Sequence, residues 1–148
     1  ALRKAFLESE AVMIEGFLDG VEISQGCYKT RKRSVVLPAT EVVTDNEFFD
    51  YDAKYNGQVE EITPARLSPS TAERVAKITS AIYDILHCNG IIRIDYIISK
   101  NEDGSERINM LEVNTTPGMT ATSFIPQQVR AAGMEMKDVL TEIVENQF

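Results

Sequence analysis

Polar residues alternate along two largely apolar stretches, among them Arg93 and Asp95 in IIRIDYII (91–98) and Glu112 and Asn114 in RINMLEVN (107–114). Side chains two apart on a strand share a face, so each stretch presents its pair together. Antiparallel pairing through the turn near Asp103-Gly104 sets residues near 93–95 opposite residues near 112–114, and one face then collects all four. Two carboxylates and an amide oxygen, with no His or Cys nearby, are hard oxygen ligands suited to Mg²⁺ or Mn²⁺ rather than zinc. A salt bridge across a solvated sheet face would use the same residues, and spacing alone leaves both readings open. The sequel favours a ligand. The second stretch runs straight into TTPGMTATS (115–123), where Pro117-Gly118 marks a turn whose backbone can approach a bound group closely and turn N–H groups toward an oxyanion.

The elements that must hold these residues follow from periodicity. ALRKAFLES (1–9) reads as helix, AVMIE (11–15) as strand-like, GFLDG (16–20) as a Gly-bounded connection and VEISQGCY (21–28) as a strand of period two. SVVLPATEVV (34–43) reads as one further strand, with Pro38 limiting its pairing. Between Thr44 and Ser68 periodicity disappears, and a connection of that length in a compact domain is usually functional. Ser68-Pro69 predicts a helix start, with Ser70 and Glu73 as a second capping box. The helix is expected to run to about Cys88, with Val75, Ile78, Ile82, Ile85 and Leu86 on its apolar stripe and Asn89-Gly90 as its stop. After the two strands comes a helix over about 137–146, with Met136, Val139, Leu140, Ile143 and Val144 toward the core. Ile92, Ile94, Leu111 and Val113 are expected on the buried side of the strand pair. The fold class is α+β, a mostly antiparallel sheet flanked by helices.

The totals exclude several functions. A chain of 148 residues with 43% hydrophobic and 26% charged residues has ordinary globular composition, and its longest apolar runs are strand-sized. A net charge of −8 argues against a nucleic-acid surface, and KTRKR (29–33) reads as an exposed hairpin. Cys27 and Cys88 lack metal spacing and read as reduced thiols of a cytoplasmic protein; the one histidine, His87, lies beside Cys88 at a helix end. A start at Ala1 inside a helical stretch, without Met, is expected of a piece of something longer.

RID (93–95), LEVNTTPGMTATS (111–123) and FFDYDAKY (48–55), in this order, closely resemble the C-terminal part of the D-alanine–D-alanine ligases, an ATP-grasp family. The resemblance covers nearly the whole chain, and implies one C-terminal ATP-grasp domain over 1–148, with residues 1–14 as the end of a central subdomain and the N-terminal and most of the central domain absent. It implies that Asp95, Glu112 and Asn114 hold two Mg²⁺ (or Mn²⁺) ions on the ATP phosphates. Arg93 and the Gly118 N–H would stabilise the acyl phosphate and tetrahedral intermediate, and Ser123 and Phe124 would contact the second D-alanine, where the family commonly has Leu in place of Phe124. Lys54 would meet the γ-phosphate and Tyr55 would help close the site, in a segment that would serve as a lid excluding water rather than as a plain surface loop. Glu15, Phe17 and Glu22 would recognise adenine and ribose, with Gly16 standing where many members have Lys.

The activity so implied is ATP-dependent formation of the D-alanyl-D-alanine dipeptide of peptidoglycan, by a cytoplasmic enzyme that is a homodimer at full length and uses neither nucleic acid nor membrane. The 148-residue piece by itself is expected to be inactive. Two alternatives stand beside this: another ATP-grasp carboxylate ligase, such as a D-alanine–D-lactate ligase, which Tyr55 disfavours, and a nucleotide-binding module that has lost catalysis, which the joint presence of Lys54, Arg93 and Ser123 disfavours.

Overall fold

The computed structural model describes residues 2–44 and 59–148. A short helix, α1 (Leu2–Glu8), leads through an irregular stretch into β1 (Val21–Lys29). The strands β2 (Ser34–Val36), β3 (Thr40–Thr44) and β4 (Val59–Ile62) come next. Helix α2 (Pro69–Ile85) is followed by the hairpin of β5 (Ile91–Lys100) and β6 (Glu106–Asn114), then by α3 (Phe124–Ala131) and α4 (Met136–Glu145). The sheet runs β4-β3-β1-β5-β6, with β2 extending the β3 side of β1, and every pair is antiparallel.

β1 is the pivot because both its faces are covered. Ile23, Cys27, Ile92, Ile94, Tyr96 and Ile98 pack with Val75 and Tyr83 of α2 on one side of the sheet. On the other side Tyr28 and Ile91 pack with Leu37, Ile125, Val129 and Val139, which joins α3 and α4 to the sheet. Each wholly buried Ile among these stabilises the fold by about 1.5–3 kcal/mol through apolar burial. The second face is apolar only at one end. Moving along β1 from Tyr28 through Gly26 and Ser24 to Glu22, and along the paired β5 from Ile91 through Arg93 to Asp95, side chains change from apolar to polar, and the helices cover only the apolar end.

Several expectations change. Residues 11–19 carry no regular structure, so AVMIE is not a strand. The stretch 34–43 is two short strands, because Leu37–Ala39, with Pro38 lacking an N–H, interrupts the ladder between β2 and β3. β4 lies within the stretch read as one aperiodic connection, its run of four residues too short to show a period. Helix α2 is capped by Ser68, whose side chain accepts from the Thr71 N–H, whereas Glu73 pairs with Lys77 instead of closing a box with Ser70. It ends at Ile85, so Ile85 and Leu86 turn outward at 73% and 53% exposure, while Thr71 and Thr79 hold the buried stripe with Val75 and Tyr83. Leu140 and Val144 of α4 also face outward; Val139 is the wholly buried residue there.

Basic residues of 29–33 are drawn into ion pairs: Lys29 with Asp84, Lys32 with Glu145, and Arg33 with Glu142, whose carboxylate the guanidinium holds below its usual range. No helix among the described residues is long and apolar enough to cross a membrane.

Candidate active site

The β5–β6 ladder realises the predicted register: Arg93 stands opposite Asn114 and Asp95 opposite Glu112. Just beyond, the pairing slips, and Tyr96 faces Met110. Leu111 is therefore an extra residue on β6, a bulge that twists the edge and re-aims side chains. That is why Leu111 is 45% exposed rather than buried, and it lines the site with Met110.

Asp95, itself 9% exposed, is the hub. Its Oδ1 accepts from Ser24 Oγ at 2.6 Å and Arg93 Nε at 2.9 Å, and its Oδ2 from Arg93 Nη2 at 2.8 Å and Asn114 Nδ2 at 3.1 Å. Asn114 Nδ2 also donates to Glu112 Oε1 at 3.0 Å, while Arg93 Nη2 lies 4.0 Å from that oxygen. The amide –NH₂, the electropositive end of the group, thus sits between two carboxylates, where a divalent cation would be attracted for the same reason. Turning the amide end for end would present its oxygen instead, giving the all-oxygen donor set that Mg²⁺ or Mn²⁺ takes. Among the described residues no cluster of three or more His, Cys, Asp or Glu side chains gathers at one point, and a cation held by Asp95 and Glu112 would draw a further protein oxygen from the Asn114 amide. The donor set fits a hard cation completed by water or phosphate.

Around this hub lies an open cavity of about 1160 Å³, lined by Glu15, Glu22, Arg93, Asp95, Glu112, Gly118, Ser123 and Phe124 among others. Residues from 100 positions apart in the chain therefore converge on one space. Burial raises the carboxyl of Glu22 above its usual range, and the charge of Asp95 adds to the effect. On the far rim, Phe124 sets its ring 5.4 Å from the Arg93 guanidinium carbon, a cation–π contact that restrains the arginine. Gly118 approaches Ser123 so closely that a Cβ there would stand 2.8 Å from Ser123 Oγ, so any side chain at 118 would push the serine hydroxyl aside. Ser123 precedes α3 as its cap residue but shares its hydroxyl with Thr120 at 2.8 Å, leaving the helix N-terminus directed at the cavity without a side-chain cap. Helix N-termini favour anions.

Phe17, 69% exposed, is not among the residues lining this cavity, and Lys54 and Tyr55 lie outside the described residues. Two features went unread in the sequence. Ser24 sits two residues after Glu22 and pairs with Asp95, so strand alternation could have found it. Helix α3 starts at a Ser and ends before Gly133, a start-and-stop signal that the turn residues ahead of it obscure.

A twisted antiparallel sheet with helices on both faces, holding an arginine, two carboxylates and an amide at a strand mouth beside a helix N-terminus, is the C-terminal subdomain of the ATP-grasp class. Within that class the chain belongs to the family described as D-ala D-ala ligase C-terminus, which matches residues 1–145. It is 68% identical over all 148 residues to a D-alanine–D-alanine ligase of Bacteroides fragilis and 66% identical to one of Phocaeicola vulgatus. In both cases it spans 44% of the relative's length. Among solved structures, the D-alanine–D-alanine ligase from Bacillus anthracis matches 98% of this chain and 45% of its own, at 33% identity and a TM-score of 0.73. The D-alanyl-alanine synthetase A from Vibrio cholerae does so at 25% identity and a TM-score of 0.79, over 98% of this chain and 44% of its own.

Proposed function

We propose that the whole protein containing this chain is an ADP-forming D-alanine–D-alanine ligase. The observation that carries the reading is the convergence of Arg93, Asp95, Glu112, Gly118, Ser123 and Phe124 on one cavity in a chain so similar to ligases of that name. A Bacillus anthracis relative of known structure is described as complexed with ATP, which supports ATP as the phosphoryl donor here.

In this reading Asp95, Glu112 and Asn114 hold Mg²⁺ or Mn²⁺, as two ions. Such ions, when bound, neutralise charge on the ATP phosphates. Glu15, Phe17 and Glu22 receive the nucleoside, and Lys54 and Tyr55 reach the γ-phosphate and close the site. Phosphorylation of one D-alanine carboxylate by ATP gives an acyl phosphate, which the amine of a second D-alanine attacks, with phosphate leaving. Arg93 and the Gly118 N–H stabilise the oxyanion of that step, and Ser123 with the α3 N-terminus holds the acceptor's carboxylate, against Phe124. Asp95 keeps Arg93 extended along the strand, so the guanidinium is already oriented when charge develops. No covalent protein nucleophile is needed.

The 148-residue chain, which spans 44% of its relatives' length, is inactive by itself; the full-length protein is a cytoplasmic homodimer with no nucleic-acid or membrane partner. The test is phosphate release by the full-length protein with ATP, Mg²⁺ and D-alanine, beside D-alanine plus D-lactate, repeated with Glu112→Gln. D-alanine-dependent release that the substitution lowers by about 100-fold or more is expected from losing a charged metal ligand. Release only with D-lactate moves the acceptor, and no release with either refutes the ligase reading.

A further inference from the structure

We propose that Gln128 is a positioning residue that fixes the acceptor-side end of α3 to the strand that orients Asp95. This inference rests on the ligase reading for its kinetic consequence and on the fold alone for its structural one.

The argument starts from the interrupted ladder. β1 pairs with β3 as far as Ser24 opposite Thr40, and with β2 from Cys27 opposite Val36. Between them the Leu37 N–H reaches the Gly26 carbonyl, but the Gly26 N–H finds no backbone partner there. The carboxamide of Gln128, wholly buried on α3, takes that N–H and ties it to the ladder beside it: Oε1 accepts from Gly26 N at 2.8 Å, and Nε2 donates to Ser24 O at 2.9 Å and to Thr40 Oγ1 at 3.1 Å. A primary amide carries both an acceptor and donors, so one side chain supplies the missing strand acceptor for Gly26 while its other end holds the end of the β1–β3 ladder.

Gly26 makes this possible. A Cβ there would lie 2.8 Å from Gln128 Oε1 and 2.6 Å from Ile125 Cδ1, so a side chain at 26 would push Gln128 and Ile125 off their present positions.

What the bonds fix is functional geometry. Gln128 lies five positions after Ser123, about 7.5 Å along the helix, so holding Gln128 holds the end that presents Ser123 and Phe124. Its other partner, Ser24, is the residue whose hydroxyl donates to Asp95. A single carboxamide therefore sets the spacing between the acceptor-side residues and the carboxylate that orients Arg93. Ile125 and Val129 supply burial without direction, whereas hydrogen bonds stop working when the helix slides by an ångström.

The experiment uses the full-length protein, with Gln128→Met, which keeps length and burial but removes both polar ends, and Val129→Ala, which weakens the same helix apolarly. Backbone hydrogen exchange is followed over residues 119–127 beside the KM values for acceptor D-alanine and for ATP. Gln128→Met is expected to speed that exchange and raise the acceptor KM, each about tenfold, with the ATP KM within about twofold. Val129→Ala is expected to lower the melting temperature while changing both readouts by less than about twofold.

If Gln128→Met does not accumulate folded, Thr40→Val, which removes one of the three bonds, is expected to shift both readouts in the same direction by about threefold. Equal behaviour of Gln128→Met and Val129→Ala, or no change in exchange with Thr40→Val, overturns the proposal. A wild-type protein without D-alanine-dependent phosphate release would sink the ligase reading, and the exchange comparison would still decide the role of Gln128.

Discussion

Glu41 offers a prediction in which the sign, the size and the pH range all follow from geometry. It lies on β3 at 6% exposure and accepts from Arg66 three times, from the backbone N–H at 3.1 Å, Nε at 2.9 Å and Nη2 at 2.6 Å. These bonds, the side-chain ones foremost, hold its carboxyl below the usual range. The pair joins the chain just before residues 45–58 to the chain just after β4.

Glu41→Gln imitates the protonated acid at nearly unchanged volume. It keeps one acceptor and loses the ionic part, worth the difference between charge-assisted and neutral hydrogen bonds. Discounted because the arginine is solvated, that is about 1.5 kcal/mol at pH 7, or about 3–6 °C in melting temperature for a domain of this size. A carboxylate whose folded pKa is depressed contributes its stability above the unfolded value and loses it as pH falls through the folded one. The gap between wild type and Glu41→Gln should therefore be full at pH 7 and shrink below about pH 4, until the two denaturation curves coincide. Urea denaturation followed by circular dichroism at stepped pH measures this. A gap unchanged between pH 7 and pH 3, or no gap at pH 7, refutes the reasoning.

Other expectations are briefer. Gly26→Ala pushes a methyl to within 2.9 Å of Leu37 Cδ1 besides its clashes with α3, and overpacking of this kind should cost about 1–3 kcal/mol in a denaturation experiment; wild-type stability would contradict the close approach. Glu112, whose side chain is 63% exposed, can be changed to Gln with stability held within about 0.5 kcal/mol, while Mn²⁺ affinity measured by paramagnetic resonance falls; an unaltered affinity would remove Glu112 from the metal set. Ser24→Ala deletes a 2.6 Å bond to a buried carboxylate and should destabilise by about 1.5–3 kcal/mol, with Ser24→Thr restoring most of it; an inert Ser24→Ala would argue that Asp95 does not depend on it. Burial pushes the Cys27 thiol up to about 12, and the half-buried Cys88 is raised less, so a thiol reagent at pH 8 should modify Cys88 first and Cys27 only on unfolding. Equal, rapid labelling of both would contradict the core placement of Cys27.

The hairpin carrying Arg93, Asp95, Glu112 and Asn114 was legible because strand alternation and a tight turn are local rules that the fold obeys at those positions. The bulge at Leu111 was not, since an extra residue leaves no mark in an apolar run until a partner strand gives it a count. Helix ends misled for a related reason. Ile85, Leu86, Leu140 and Val144 have the composition of a buried stripe, yet they belong to neither core cluster and stay exposed, while Thr71 and Thr79 are buried with their hydroxyls accepted by Glu106 and Gln25. Ser24 and Gln128 belong to a network reaching across 104 positions, which no local pattern reports.

The β3–β4 pair, finally, brings Thr44 directly opposite Val59. Whatever chain connects two such neighbours closes a loop whose entropic cost grows only as the logarithm of its length, about 0.6 kcal/mol per doubling. The sheet is thus nearly indifferent to how many residues stand between those positions and to which ones they are. Substitutions, insertions or whole-segment exchanges there can be sampled by evolution, or by an engineer seeking a different acceptor, at small expense to the scaffold that carries the rest of the site.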